Sequence, residues 1–269
     1  LLIEENTKLI TEKTKTWLAD ITSAGEDVGI TSHDGLSLKG IFYPAETNDH
    51  RYALIVHGYT SQKEHMLGYA AYYAEAGFNI LMPDLRGHGE SEGNYIGMGW
   101  LDKDDIVSWI RYLVEKDPEA RIILHGVSMG GATVMMTSGE ELPSNVKAIV
   151  EDCGYTSVWD IFSDEVAYLF HIPTFPVLDT ASVISGYRAG YNFHEASSLE
   201  QVRKATVPIF FAHGSEDNFV HADMVYPLYE ACPTEKEIYV AEGAGHGHAM
   251  YLDPDTYFSK VFSFLNRYV

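Results

Sequence analysis

The chain has 269 residues, with 39 Asp and Glu against 18 Lys and Arg, a net charge of −21. A hydrophobic share of 46% is that of a globular protein rather than a disordered one. The negative charge excludes two partner classes, nucleic acid, which demands clustered Lys and Arg, and anionic membrane surfaces.

Strand and helix signals alternate almost from end to end. Val28–Ser32 and Leu36–Tyr43 flank His33-Asp34-Gly35, the signature of a hairpin. Short apolar runs follow at Tyr52–Val56, Asn79–Met82, Arg121–Leu124, Val146–Val150, Ile209–Ala212 and Ile238–Val240. They are mostly β-branched or aliphatic and bounded by Gly, Pro or Asp, as strands buried on both faces are. Between them apolar residues recur at helical spacing, as in Leu101, Ile106, Trp109, Ile110 and Leu113. That segment opens on Asp102, Asp104 and Asp105, which suit the positive end of a helix. A hairpin followed by βα units predicts a single α/β domain over 1–269, a doubly wound, mostly parallel sheet with right-handed crossovers.

Tyr155 to Val202 breaks the rhythm, because one crossover helix needs far less chain. The stretch is rich in aromatics, and Pro173 and Pro176 interrupt any continuous helix. It reads as a small helical cap inserted at about 155–202. Trp159, Phe162, Tyr168, Phe170 and Tyr187 are its candidate substrate-binding side chains, packing within the core being the alternative for each.

The chemistry concentrates at Gly126-Val127-Ser128-Met129-Gly130, directly after one strand and opening a helix that contains Ala132, Val134 and Met135. A strand turning sharply into a helix leaves room only for small residues on either side of the turn. The serine between them is strained, with its hydroxyl raised above the sheet. A serine hydroxyl needs a base, and the base needs an acid to orient it. Asp217, just beyond the strand Ile209–Ala212, is the candidate acid, and His246, on the Gly-rich loop after Ile238–Val240, the candidate base. His221 lies too close in sequence to Asp217 to reach back. His248 stays as a rival base and Asp152, just after Val146–Val150, as a rival acid. Acyl transfer also needs donors for the developing oxyanion, and the backbone N–H groups of Met129 and Tyr59 are placed for it.

These segments resemble the α/β-hydrolase superfamily. His57-Gly58-Tyr59, Asp84-Leu85-Arg86-Gly87-His88-Gly89-Glu90-Ser91, the Ser128 elbow and Gly243-Ala244-Gly245-His246-Gly247 match family signatures in order, over the chain from about Val28 onward. Within the superfamily the chain is similar to small bacterial esterases, including feruloyl (cinnamoyl) esterases, and to the catalytic domain of prolyl oligopeptidase-type enzymes. It has no room for the propeller those peptidases carry. The resemblance implies a serine hydrolase acting on a small-molecule ester through an acyl-enzyme, with no metal and no organic cofactor. Asp84 and Arg86 are implied to organise the loop after the fourth strand. Peptidase, thioesterase and acyltransferase chemistry share the same three residues, and a non-catalytic, ligand-binding relative is the reading from another class. Dehalogenases and epoxide hydrolases of this fold carry Asp where Ser128 stands.

His246-x-His248 lacks a third metal ligand nearby. No Gly-Lys pair exists for a phosphate loop, and Asp84–Ser91 does not match the dinucleotide fingerprint. Cys153 and Cys232 read as free thiols of a reducing compartment, which sets the expectation of a cytoplasmic protein. The first residue is Leu1, so a removed signal or anchor stays open. No apolar run is long enough to span a membrane, and oligomeric state is not readable.

Overall fold

The computed structural model describes residues 2–21, 25–47, 49–171 and 173–269, with all their side chains but those of Leu169 and Phe170. Eight strands form one sheet: β1 (Glu26–Thr31), β2 (Ser37–Tyr43), β3 (Arg51–Val56), β4 (Asn79–Pro83), β5 (Arg121–Val127), β6 (Val146–Asp152), β7 (Ile209–Gly214) and β8 (Lys236–Ala241). Their order across the sheet is β1-β2-β4-β3-β5-β6-β7-β8. β2 runs antiparallel to both β1 and β4, and every other pairing is parallel. The mostly parallel, doubly wound sheet read from the sequence is thus the observed one.

The hairpin turns where Gly35 takes φ +92 and the Ser32 hydroxyl accepts the Leu36 N–H at 2.8 Å. β3, β4 and β5 are buried on both faces, which is why they read as unbroken apolar runs. Three strands continue past their apolar runs. β5 ends at Val127, β6 at Asp152 and β7 at Gly214, so Gly126 pairs with Glu151, Val127 with Asp152, and His213 with Val240. These polar tails lie together at the sheet's C-terminal edge.

The helices are α1 (Leu2–Asp20), α2 (Leu67–Glu75), α3 (Asp102–Lys116), α4 (Met129–Thr137), α5 (Val158–Phe170), α6 (Val177–Arg188), α7 (Ser198–Val202), α8 (Val225–Ala231), α9 (Ala249–Leu252) and α10 (Pro254–Leu265). Two apolar clusters cover the two faces of the sheet. One gathers Trp109, Met135 and Leu228 from α3, α4 and α8, and the other Tyr73 and Phe258 from α2 and α10. α10 starts where the Asp253 carboxylate accepts the Thr256 N–H at 2.9 Å, with Pro254 in the first turn.

Nothing in the sequence reading marked α1. Only Ile10 of its residues is buried, and Trp17 and Leu18 pack half-buried against the second cluster. Its apolar stripe is too thin to stand out from the Lys, Glu and Thr around it.

The segment between β6 and β7 holds α5, α6 and α7. An isolated bridge between Ser157 and Ser197 closes its base, and the Val158 N–H donates to Ala196 O at 2.9 Å. Tyr155, Val158, Ile161, Leu178, Tyr191 and Phe193 join it to the first apolar cluster.

Candidate active site

Ser128 stands between β5 and α4 with φ 58 and ψ −120, a left-handed backbone that a residue with a side chain rarely holds. The contacts around it explain the glycines. A Cβ on Gly126 would lie 2.0 Å from Gly130 O, and one on Gly130 would lie 2.2 Å from Val56 O. The Ser128 N–H is tied to Asp152 O at 2.8 Å, which pins the elbow to the end of β6.

Ser128 Oγ is 2.8 Å from His246 Nε2, and His246 Nδ1 is 2.7 Å from Asp217 Oδ2. His246 comes from the loop after β8 and Asp217 from the turn after β7, so the sheet's C-terminal edge assembles residues up to 118 positions apart. The second oxygen of Asp217 accepts the N–H groups of Phe219 at 3.0 Å and Val220 at 2.9 Å. Burial pushes this carboxyl up, but the partners His213 and His246 outweigh it and hold it at about 2. An ionised Asp217 is therefore poised to receive Nδ1–H and to leave Nε2 free as a base.

Asp152 points elsewhere. Its carboxylate accepts the hydroxyl of Tyr257 at 2.8 Å and lies 3.4 Å from that of Tyr69. Tyr257 in turn touches His125 Nε2 at 3.2 Å, and Tyr73 touches His125 Nδ1 at 2.8 Å. This buried chain ties α2 and α10 to the sheet behind Ser128. His248 is exposed, with its ring edge-on to Tyr251.

Gly58 brings the loop after β3 against the elbow, since a Cβ there would lie 3.3 Å from Ser128 Cβ. Tyr59 is the next residue, and Met129 opens α4, where the first N–H groups have no acceptor inside the helix. Neutral histidines brace this loop. His57 donates through Nδ1 to Gly58 O at 2.8 Å and accepts the Leu85 N–H at Nε2 at 3.0 Å. His88 takes the Thr60 N–H at 3.2 Å, where Thr60 holds φ 54. Burial pushes His57 down to about 4, in keeping with that accepting role.

Further along the loop, Lys63 donates from Nζ to Asp84 Oδ2 and to Glu90 Oε2, each at 2.7 Å, and from its backbone N–H to Asp84 Oδ1 at 2.9 Å. Asp84 is 0% exposed, and Gly89, at φ +51, passes so close that a Cβ would lie 2.3 Å from its carboxylate. Arg86 forks onto Asp105 at 2.6 and 2.7 Å and reaches Asp34 at 2.9 Å. Replacing Lys63 with Met would strand a buried carboxylate, at an expected cost of about 3 kcal/mol. Urea unfolding of the variant checks this, and an unchanged midpoint would contradict it.

A family model described as serine aminopeptidase, S33, matches residues 48–161. The uncharacterized protein YqkD of Bacillus subtilis (strain 168) is 28% identical over 243 residues, covering 88% of this chain and 78% of its own length. Among solved structures, the Pyrococcus furiosus esterase Pf2001 aligns with a TM-score of 0.75 at 22% identity, covering 93% of this chain and 95% of that one. The acylaminoacyl peptidase of Pyrococcus horikoshii aligns at 0.67 and 19% identity, covering 91% of this chain but 42% of that one. The chain has the α/β-hydrolase fold.

On this fold the remaining sequence candidates scatter. Trp159 stacks on His194 at 3.9 Å and Phe162 packs edge-on against Phe193 at 4.9 Å, both within the β6–β7 segment. Tyr168 and Tyr187 lie outermost, 74% and 90% exposed. The side chain of Phe170 falls outside the described residues. The aromatic ring that meets His246 is instead Phe219, with centroids 4.9 Å apart, two residues beyond Asp217. The sequence held a signal for it, an aromatic residue in the turn after the candidate acid. Cys153 and Cys232 are free and buried. Among the described residues no helix is long and apolar enough to cross a membrane.

Proposed function

We propose that this protein hydrolyses carboxylic esters through an acyl-enzyme on Ser128. The observation that carries the reading is the unbroken line Ser128 Oγ, His246 and Asp217, with links of 2.8 and 2.7 Å. Ser128 Oγ attacks the acyl carbonyl while His246 Nε2 takes its proton. The N–H groups of Tyr59 and Met129 receive the developing oxyanion. As the tetrahedral adduct collapses, His246 returns the proton to the leaving alkoxide, and Asp217 stabilises the transient imidazolium. Water repeats the sequence and frees the acid and Ser128. No step calls on a metal or cofactor.

In this reading residues 155–202 act as the cap over a small ester, with Phe219 and the half-exposed Tyr59 at the mouth. The resemblance to Pf2001, an esterase, supports ester chemistry. The serine aminopeptidase model and the acylaminoacyl peptidase support a second reading, cleavage of an aminoacyl or peptidyl bond by the same residues. The buried free thiols fit a cytoplasmic setting.

Matched p-nitrophenyl esters, thioesters and aminoacyl p-nitroanilides separate these readings. The ester should have the highest kcat/KM, and a faster anilide would favour the peptidase. The net charge of −21 adds a second expectation. Raising salt should increase turnover of an anionic ester relative to a neutral one, because the repulsion is screened beyond about 8 Å at physiological ionic strength. An unchanged ratio would remove charge as a determinant of substrate choice.

A further inference from the structure

Behind Asp217 lies a second histidine for which the ester mechanism has no use. His213, on the last turn of β7, is 0% exposed. Its Nε2 is 2.9 Å from Val220 O and 3.4 Å from Asp217 Oδ2, the same oxygen that meets His246. A carbonyl only accepts, so Nε2 carries a hydrogen and leans toward the carboxylate as a donor. Val220 closes a ring, because its N–H donates to Asp217 Oδ1 at 2.9 Å while its carbonyl accepts from His213. The carboxylate is thereby gripped from both oxygens.

The other ring nitrogen, Nδ1, is buried without a hydrogen-bond partner among the described residues, and so is Glu151 Oε1. Glu151 pairs with Phe211 across β6 and β7, so it shares a sheet face with His213, two residues further along. Its other oxygen accepts the Gly154 N–H at 3.0 Å. Burial pushes this carboxyl up to about 8, so it holds a proton near neutrality.

We propose that His213 is a positioning residue for the Asp217 carboxylate, held in its donor tautomer by the Val220 carbonyl. The inference rests on the assignment of Asp217 as the acid partner of His246. No proton leaves His213 during turnover; its role is to hold Asp217 in place and temper its charge. Other charged or titratable groups face the cluster. Asp152 and Cys153 come from the end of β6, His246 from the loop after β8, and Glu165 from α5, on the side of His246.

The sign of the pH effect follows. Removing the His213 donor leaves more negative charge on Asp217 for the His246 imidazolium, so His246 should hold its proton to higher pH. His213→Leu should lower kcat by roughly 10–100-fold, the cost of one hydrogen bond to a charged group, with KM little changed. The acidic limb of the kcat/KM profile should move to higher pH. His213→Gln, which keeps a donor near the Nε2 position, should restore most of both. Rates are expressed per active site, by titration with a fluorophosphonate, so that a misfolded fraction does not count. The His246 ring is titrated in parallel by NMR, which reads the positioning effect whether or not the ester reading holds. A loss of rate in His213→Leu with both the limb and the NMR titration unmoved would reduce His213 to a packing residue and overturn the proposal. So would a Gln variant no better than Leu.

Discussion

Replacing Ser128 with alanine is expected to lower kcat for p-nitrophenyl acetate by about 10⁵-fold, while the folded chain stays intact. The expectation follows from the division of labour at the site. Ser128 Oγ is the atom that would bond to the acyl group, and His246 Nε2, 2.8 Å away, has no other proton to take. Removing the hydroxyl leaves the backbone donors of Tyr59 and Met129, which still bind an oxyanion but have no covalent step to serve. Alanine carries a Cβ as serine does, so the strain of φ 58 is unchanged and the elbow should keep its geometry. Steady-state kinetics with an unfolding curve separate the two effects. A variant that retained more than about a hundredth of the parent rate would place the nucleophile elsewhere.

The second large effect is expected at Asp217. Asp217→Asn should cost about 10⁴-fold in kcat, and the detailed geometry says why. One oxygen of Asp217 accepts from Phe219 and Val220, so the amide oxygen must take that side. The amide NH₂ then faces His246 Nδ1, which forces the hydrogen onto Nε2 and removes the base. Asp152→Asn is the control. Its carboxylate serves Tyr257 and Tyr69, and an amide oxygen can still accept from them, so kcat should stay near the parent value. If Asp152→Asn were the more damaging of the two, the acid would lie on β6 rather than after β7.

The sheet was legible in the sequence because strands buried on both faces, as β3, β4 and β5 are, leave unbroken apolar runs, and because the Gly35 turn marks both arms of the hairpin. Their ends were less legible. The ladder continues through Gly126, Glu151 and His213, a glycine and two ionisable residues that give no strand signal. The elbow was readable because steric crowding restricts residue type so strongly at Gly126 and Gly130. The support around it was not. Lys63 clamps Asp84 across 21 residues, and His213, four residues before Asp217, meets it only because the chain turns back after β7, so neither pairing shows in strand or helix periodicity. Spacing also did not show which aromatic ring meets His246. Trp159 stacks on His194 and Phe162 on Phe193, while Phe219, two residues after Asp217, packs against His246.

The account stands most directly on the identity of the nucleophile. Incubation with a fluorophosphonate followed by peptide mass spectrometry reads it without any assumption about substrate. One adduct per chain is expected, on Ser128, with its loss in His246→Ala. No adduct, or an adduct on another residue, would contradict it.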